Sequence, residues 1–194
     1  MSTVETNLVQ PSTGTTLTLG ASGDTISIPS GATIANSGTA TGMGLFSSYA
    51  IIADQKAQNT AGGTFTQDGW RERDLQTELA DPDGIVSISS NQFTLAAGTY
   101  LIKWSAPAQR TSAHQSRLYN VTDASVTGVG ISSNANATYY GQTTSDGSAR
   151  TTITGSKAFR IEHNNVSTSA TTGFGHAVNK GVEQYTTVEI FKEA

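Results

Sequence analysis

From residue 46 onward, apolar and small polar residues alternate in short runs. Candidate strands lie at 49–54, 84–89, 91–95, 99–106, 114–120, 125–131, 137–143, 150–153, 157–163 and 186–192. Clusters of Gly, Asn, Asp and Ser separate them every eight to twelve residues. Period-two alternation at that spacing predicts an all-β sandwich or barrel. Residues 70–79 are ambiguous: Leu75 and Leu79 stand four apart, which fits either one turn of helix or an edge strand. Asp81-Pro82-Asp83-Gly84 then forms a turn.

The first 45 residues follow another rhythm. Gly14-Thr15-Thr16-Leu17-Thr18-Leu19 is followed by Gly23-Asp24-Thr25-Ile26-Ser27-Ile28 and by Gly31-Ala32-Thr33-Ile34-Ala35-Asn36. The pattern Gly-x-Thr-apolar-x-apolar recurs after nine and then eight residues. Thr and Ile favour extended backbone, and alternation places each apolar pair on one strand face. Each copy is expected to be a short strand ending in a tight corner at Gly20, Gly23 or Gly31. Alone, such a copy cannot bury its apolar face; it needs stacked neighbours or strands from other subunits. The chain is therefore expected to divide into a β-repeat attachment arm, residues 1–45, and a sandwich head, residues 46–194. Leu8, Leu17, Leu19, Ile26, Ile28 and Ile34 are the candidate docking side chains of the arm.

Composition narrows the function. Hydrophobic residues make up 36% of the 194-residue chain and charged residues 13%, against about 45–50% and about 25% in typical globular proteins. Thr, Ser, Gly, Asn and Ala fill the difference, which favours strands and turns over helices. The formal charge is −4, with Lys and Arg scattered, so no nucleic-acid footprint exists. Without cysteine there is neither a disulfide framework nor a thiolate metal site. No apolar run reaches the roughly 18 residues of a membrane-spanning helix, so no membrane insertion is expected. The first ten residues lack the basic and apolar regions of a secretory signal, so synthesis in a reducing cytoplasm is expected.

Chemistry-bearing motifs are sparse. His114, His163 and His176 fall in separate candidate elements without zinc-ligand spacing. Gly128-Val129-Gly130 and Gly173-Phe174-Gly175 lack the strand and helix that a dinucleotide-binding loop requires. Glu78, Asp81 and Asp83 are weak calcium candidates. Asp68, Glu72, Asp74 and Glu78 alternate with Arg71 and Arg73, which fits surface ion pairing better than the convergent carboxylates of a glycosidase. A non-enzymatic protein without cofactor or metal is expected, and a polysaccharide depolymerase is the enzymatic rival.

Two segments carry family resemblances. Phe93-Thr94-Leu95-Ala96-Ala97-Gly98-Thr99-Tyr100-Leu101-Ile102-Lys103-Trp104 resembles the central signature of the C1q/TNF-like jelly roll. Arg117-Leu118-Tyr119-Asn120, Lys157-Ala158-Phe159-Arg160-Ile161 and Tyr185 to Phe191 resemble later strands of that fold. Gly155-Ser156 stands where the family has Gly-Asp. This resemblance implies a homotrimer, with Phe93, Tyr100, Trp104, Phe159, Tyr185 and Phe191 divided between the sandwich core and the trimer axis. Residues 20–34 resemble a repeat of structural proteins from marine tailed bacteriophages. Together the resemblances imply a virion protein on the outer surface of the particle. The first expectation is a capsid decoration (cement or head-fibre) protein whose arm docks on the major capsid protein or another virion protein. The alternative is a tail-fibre or tail-tip protein that recognises a host-surface glycan through Tyr139, Tyr140 and Asn134 to Asn136.

Overall fold

Alternation becomes a two-layer sandwich. In this computed structural model the structure describes residues 13–33 and 44–194. The chain divides into two units, Met1–Ala40 and Thr41–Ala194. Among the described residues there is no helix. Twelve strands form: β1 Phe46–Lys56, β2 Arg71–Glu72, β3 Thr77–Ala80, β4 Val86–Ser89, β5 Gln92–Leu95, β6 Gly98–Gln109, β7 Ser112–Asn120, β8 Ser125–Val129, β9 Ser133–Ala135, β10 Gln142–Ile153, β11 Lys157–Asn165 and β12 Glu183–Glu193.

All pairings are antiparallel. One sheet runs β10-β6-β12-β1-β3; the other runs β4-β5-β11-β7-β8, with β2 added beside β11 and β9 beside β7. The pairs β7·β8, β6·β10, β5·β11 and β1·β12 are nested, so the second unit is one long hairpin rolled into two layers. That is a jelly roll. The inward positions of both sheets meet in a single core. Ile52, Leu75, Phe93, Leu95, Ile102, Leu118, Phe159, Ile161, Val188 and Ile190 are fully buried there. Each such side chain contributes roughly 1.5–3 kcal/mol by leaving water. Phe93 and Phe159 face one another across β5 and β11, with ring centroids 5.7 Å apart.

At one edge the layers are joined by a polar staple. The Trp104 indole Nε1 donates to Ser116 Oγ at 2.8 Å, and Ser116 Oγ donates to the Ser145 carbonyl at 3.0 Å. Ser145 Oγ then donates to the Ile131 carbonyl at 2.7 Å. Satisfying these buried groups costs β10 its hydrophobicity. Its inward positions carry Thr143, Ser145, Gly147 and Ala149, and a Cβ at Gly147 would overlap the Trp104 ring.

Two expectations change and one open alternative resolves. Of residues 137–143 only the last two are strand, as the start of β10: residues 137–140 are turn, because the Asn136 side chain accepts the amides of Thr138 and Tyr139 at 2.8 and 3.0 Å. Residues 150–153 are only the end of a twelve-residue strand, β10. Residues 70–79 supply two short edge strands, β2 and β3, and no helix, since Leu75 is drawn into the core between them.

In the first unit, residues 13–33 contain no strand. Their corners fall where the repeat puts them: the Asp24 amide donates to the Ala21 carbonyl and the Ala32 amide to the Pro29 carbonyl. Gly20, Gly23 and Gly31 take positive φ, a conformation that favours glycine. Among the described residues no strand pairing covers Leu17, Leu19, Ile26 or Ile28.

Candidate functional site

The head offers three places with more than packing to them. The first is a buried polar cluster. Arg73 is completely enclosed, contrary to the expectation that it pairs at the surface. Its planar fork makes burial tolerable. Nε donates to Thr186 Oγ1 at 2.6 Å, and the two terminal nitrogens donate to the carbonyls of Pro107 and Phe174 at 3.0 and 2.8 Å. The guanidinium also lies 4.3 Å from the Phe174 ring centre. Burial lowers its pKa to about 10, opposed by the charges of Asp54 and Asp74.

Beside it, two histidines that the sequence places in separate elements meet. His114 Nδ1 is 2.9 Å from His163 Nε2, and His114 Nε2 is 2.8 Å from Thr143 Oγ1. They are diagonal neighbours on β7 and β11, because His163 pairs with Ser116 and His114 with Asn165. Register, which no local motif encodes, brings them together. Burial, then the Arg73 charge, pushes His114 down to about 4. The same two causes, with His114 added, hold His163 well below 6.5. The pair is neutral and structural. Among the described residues, no three His, Asp or Glu side chains converge as metal ligands. Asp81 accepts the amides of Ile85 and Val86 at 2.8 and 2.9 Å, and Asp83 accepts the Ser48 hydroxyl at 2.6 Å.

The second place is the outer face of the β5-β11-β7-β8 layer. Glu162 on β11 is nearly enclosed between Arg117, whose Nη2 lies 2.6 Å away, and Arg160. Arg160 also reaches Glu72 at 3.2 Å. Arg117 covers Trp70, with 3.9 Å between its guanidinium carbon and the ring centre. Next to this network lies an open groove of about 340 Å³, lined by Trp70, Ala113, His114, Gln115, Ser133 and Asn164, among others. Sequence reasoning did not single out Trp70; only the Arg117 guanidinium over its ring and its place in the groove wall identify it.

The third place is the outer face of the β10-β6-β12-β1-β3 layer. Leu101 opposes Phe191, and Phe191 opposes Tyr49, so the three form one cross-strand row. The Phe46 ring adds to it, 5.3 Å from Phe191. Tyr49 is 44% exposed and Leu79, on the edge strand, 42%. Charged pairs flank the row, Lys103 with Glu189 and Arg150 with Glu193.

The six aromatics singled out from sequence fall unevenly. Phe93, Tyr100, Trp104, Phe159 and Tyr185 are buried within the single chain, while Phe191 is half-buried on the outer row. In the arm, Leu17, Leu19, Ile26 and Ile28 are exposed; Leu8 and Ile34 lie outside the described residues. Tyr139 and Tyr140 are the most exposed aromatics of the head, and Arg110 lies over the Tyr140 ring at 4.9 Å.

No protein-family model matches the sequence, and no curated protein does. Several solved structures resemble the chain. Murine APRIL at pH 8.0 is 7% identical, with a TM-score of 0.47 over 75% of this chain and 98% of its own. The globular domain of zebrafish complement 1qA protein is 13% identical, with a TM-score of 0.45 over 74% and 95%. PRD1 vertex protein P5 is 14% identical, with a TM-score of 0.47 over 78% and 100%.

Proposed function

We propose that the chain is a non-enzymatic structural protein of a virus particle: a homotrimeric capsid decoration protein of a tailed bacteriophage, anchored by residues 1–45. One observation carries this. Apolar side chains remain uncovered in both parts of the chain after each has folded. In the head, the core is closed, yet Leu101, Phe191 and Tyr49 stand in a row on an outer sheet face. In the arm, Leu17, Leu19, Ile26 and Ile28 stand out from a backbone whose hydrogen-bonding groups are not paired in a sheet. A segment of this kind, with only Glu5 and Asp24 charged among residues 1–45, can add strands to a neighbour's sheet edge, with main-chain hydrogen bonds giving affinity. Three arms on one trimer raise the effective concentration of each other. The likeness of residues 20–34 to the phage structural repeat supports the particle as the setting.

In this arrangement the outer row of the β10-β6-β12-β1-β3 layer packs against the next copy of the head. Replacing Tyr49→Asp and Phe191→Asp together puts two charges into that contact, where unpaired charge costs several kcal/mol. Sedimentation equilibrium is expected to find a trimer for the unaltered chain and a folded monomer for the double variant. A monomeric unaltered chain, or a trimer that survives both substitutions, would contradict the assembly.

A further inference from the structure

The groove beside Trp70 has a composition that the structural role does not require. Its floor is Ala113, an outward position on β7 where a small side chain leaves the sheet open. Gln115 and Asn164 are direct cross-strand partners on β7 and β11. Two amides therefore stand side by side on one face. Ser132 and Ser133 form the opposite rim, and Gln115 is braced by donating to the Gly130 carbonyl at 2.9 Å and to Ser132 Oγ at 3.1 Å. The Trp70 indole forms a wall and is held in place by the Arg117 guanidinium.

Charge is absent from the lining. His114 is neutral above about pH 4, and the charge of Arg117, which stacks on the Trp70 ring, is matched by Glu162. The groove's size, about 340 Å³, falls at the lower end of small-molecule sites, roughly 300–1,000 Å³. An indole wall offers a flat apolar surface with a negative face. Paired amides and hydroxyls offer both donors and acceptors at close spacing. The ligand that matches all of these is neutral, flat on one side, and carries adjacent hydroxyl groups.

We propose that this groove binds one neutral pyranose unit of a saccharide, with its C–H face on Trp70 and its vicinal hydroxyls shared between Gln115 and Asn164. The site lies on the layer opposite the proposed self-association face, so it stands or falls independently of the trimer. It also differs from the Tyr139 and Tyr140 turn that the sequence suggests for glycan recognition.

Saturation-transfer NMR on the full chain tests this with the methyl glycosides of glucose, galactose, mannose, N-acetylglucosamine and N-acetylgalactosamine, and with methyl glucuronide as the charged counterpart. Saturation is expected to transfer to at least one neutral glycoside. The effect should fall about tenfold in Asn164→Ala, the order expected for losing a hydrogen-bonding partner. It should fall as far in Ala113→Gln, which fills the groove from an exposed position. Fluorotryptophan NMR, in which the Trp104 resonance is unchanged, establishes that both variants are folded. No transfer to any neutral glycoside, transfer to the glucuronide alone, or transfer undiminished in both folded variants would each overturn the proposal. If one variant fails to fold, the other decides.

Discussion

The least expected residues are the buried polar ones. Arg73, His114 and His163 sit within one end of a core that the sequence presents as Leu, Ile and Phe. Their burial makes stability depend on pH. Folded His114 titrates at about 4 and His163 well below 6.5, whereas an unfolded histidine titrates near 6.5. Between those values the unfolded chain binds protons that the folded chain does not, so stability falls as pH falls through that window. For His114 the full effect is on the order of 3 kcal/mol. Urea denaturation is therefore expected to show a lower midpoint at pH 5 than at pH 7.5. The pair of changes His114→Gln and His163→Gln should flatten that difference. An unchanged midpoint in the original chain would mean that the imidazoles are solvated rather than enclosed. Sequence supplied the three histidines but not the meeting of two, because strand register depends on contacts far apart in the chain. For the same reason Arg73 looked like a surface charge: its partners, Thr186 and the carbonyls of Pro107 and Phe174, are distant in sequence.

At the scale of elements, strands with strong apolar alternation are legible and those that accommodate a neighbour are not. Residues 99–106 and 157–163 carry Tyr100, Ile102 and Trp104, or Phe159 and Ile161, at alternating positions, and they lie within β6 and β11. Most of β10 is hidden because its inward side chains are small or polar where Trp104 needs space. Gly147→Ala places a methyl group against the Trp104 ring, and overpacking of this kind costs typically about 1–3 kcal/mol. Thermal unfolding should show a lower Tm for that variant, with Gly155→Ala, whose added Cβ meets nothing within 4 Å, as the matched control. Equal melting of the two would remove the tight contact between β10 and Trp104. The arm presents the opposite case. Its repeat is plain in sequence and its corners are formed, yet residues 13–33 hold no strand. Short strands without a partner have no ladder to join, and the proposed capsid contact provides one.

For the whole molecule, the division of labour follows from which surfaces each unit leaves uncovered. The head satisfies its own core and keeps an aromatic row on one layer and a polar groove on the other. Within residues 13–33, Leu17, Leu19, Ile26 and Ile28 stay exposed. The all-β class was readable from composition and turn spacing, and the sandwich order from the likeness of residues 93–104, 157–161 and 185–191 to one fold. The proposed faces were not readable, since Leu101, Phe191 and Tyr49 become neighbours only through the pairing of β12 with β1 and β6. The central claim is that this chain decorates a virus particle through residues 1–45. Cryo-electron microscopy of particles assembled with the full chain, and with a chain lacking residues 2–40, tests it most directly. Threefold density on the outer capsid surface is expected with the full chain, and bare capsids with the shortened one. Density only at the tail, or the same capsid density with both chains, would contradict it.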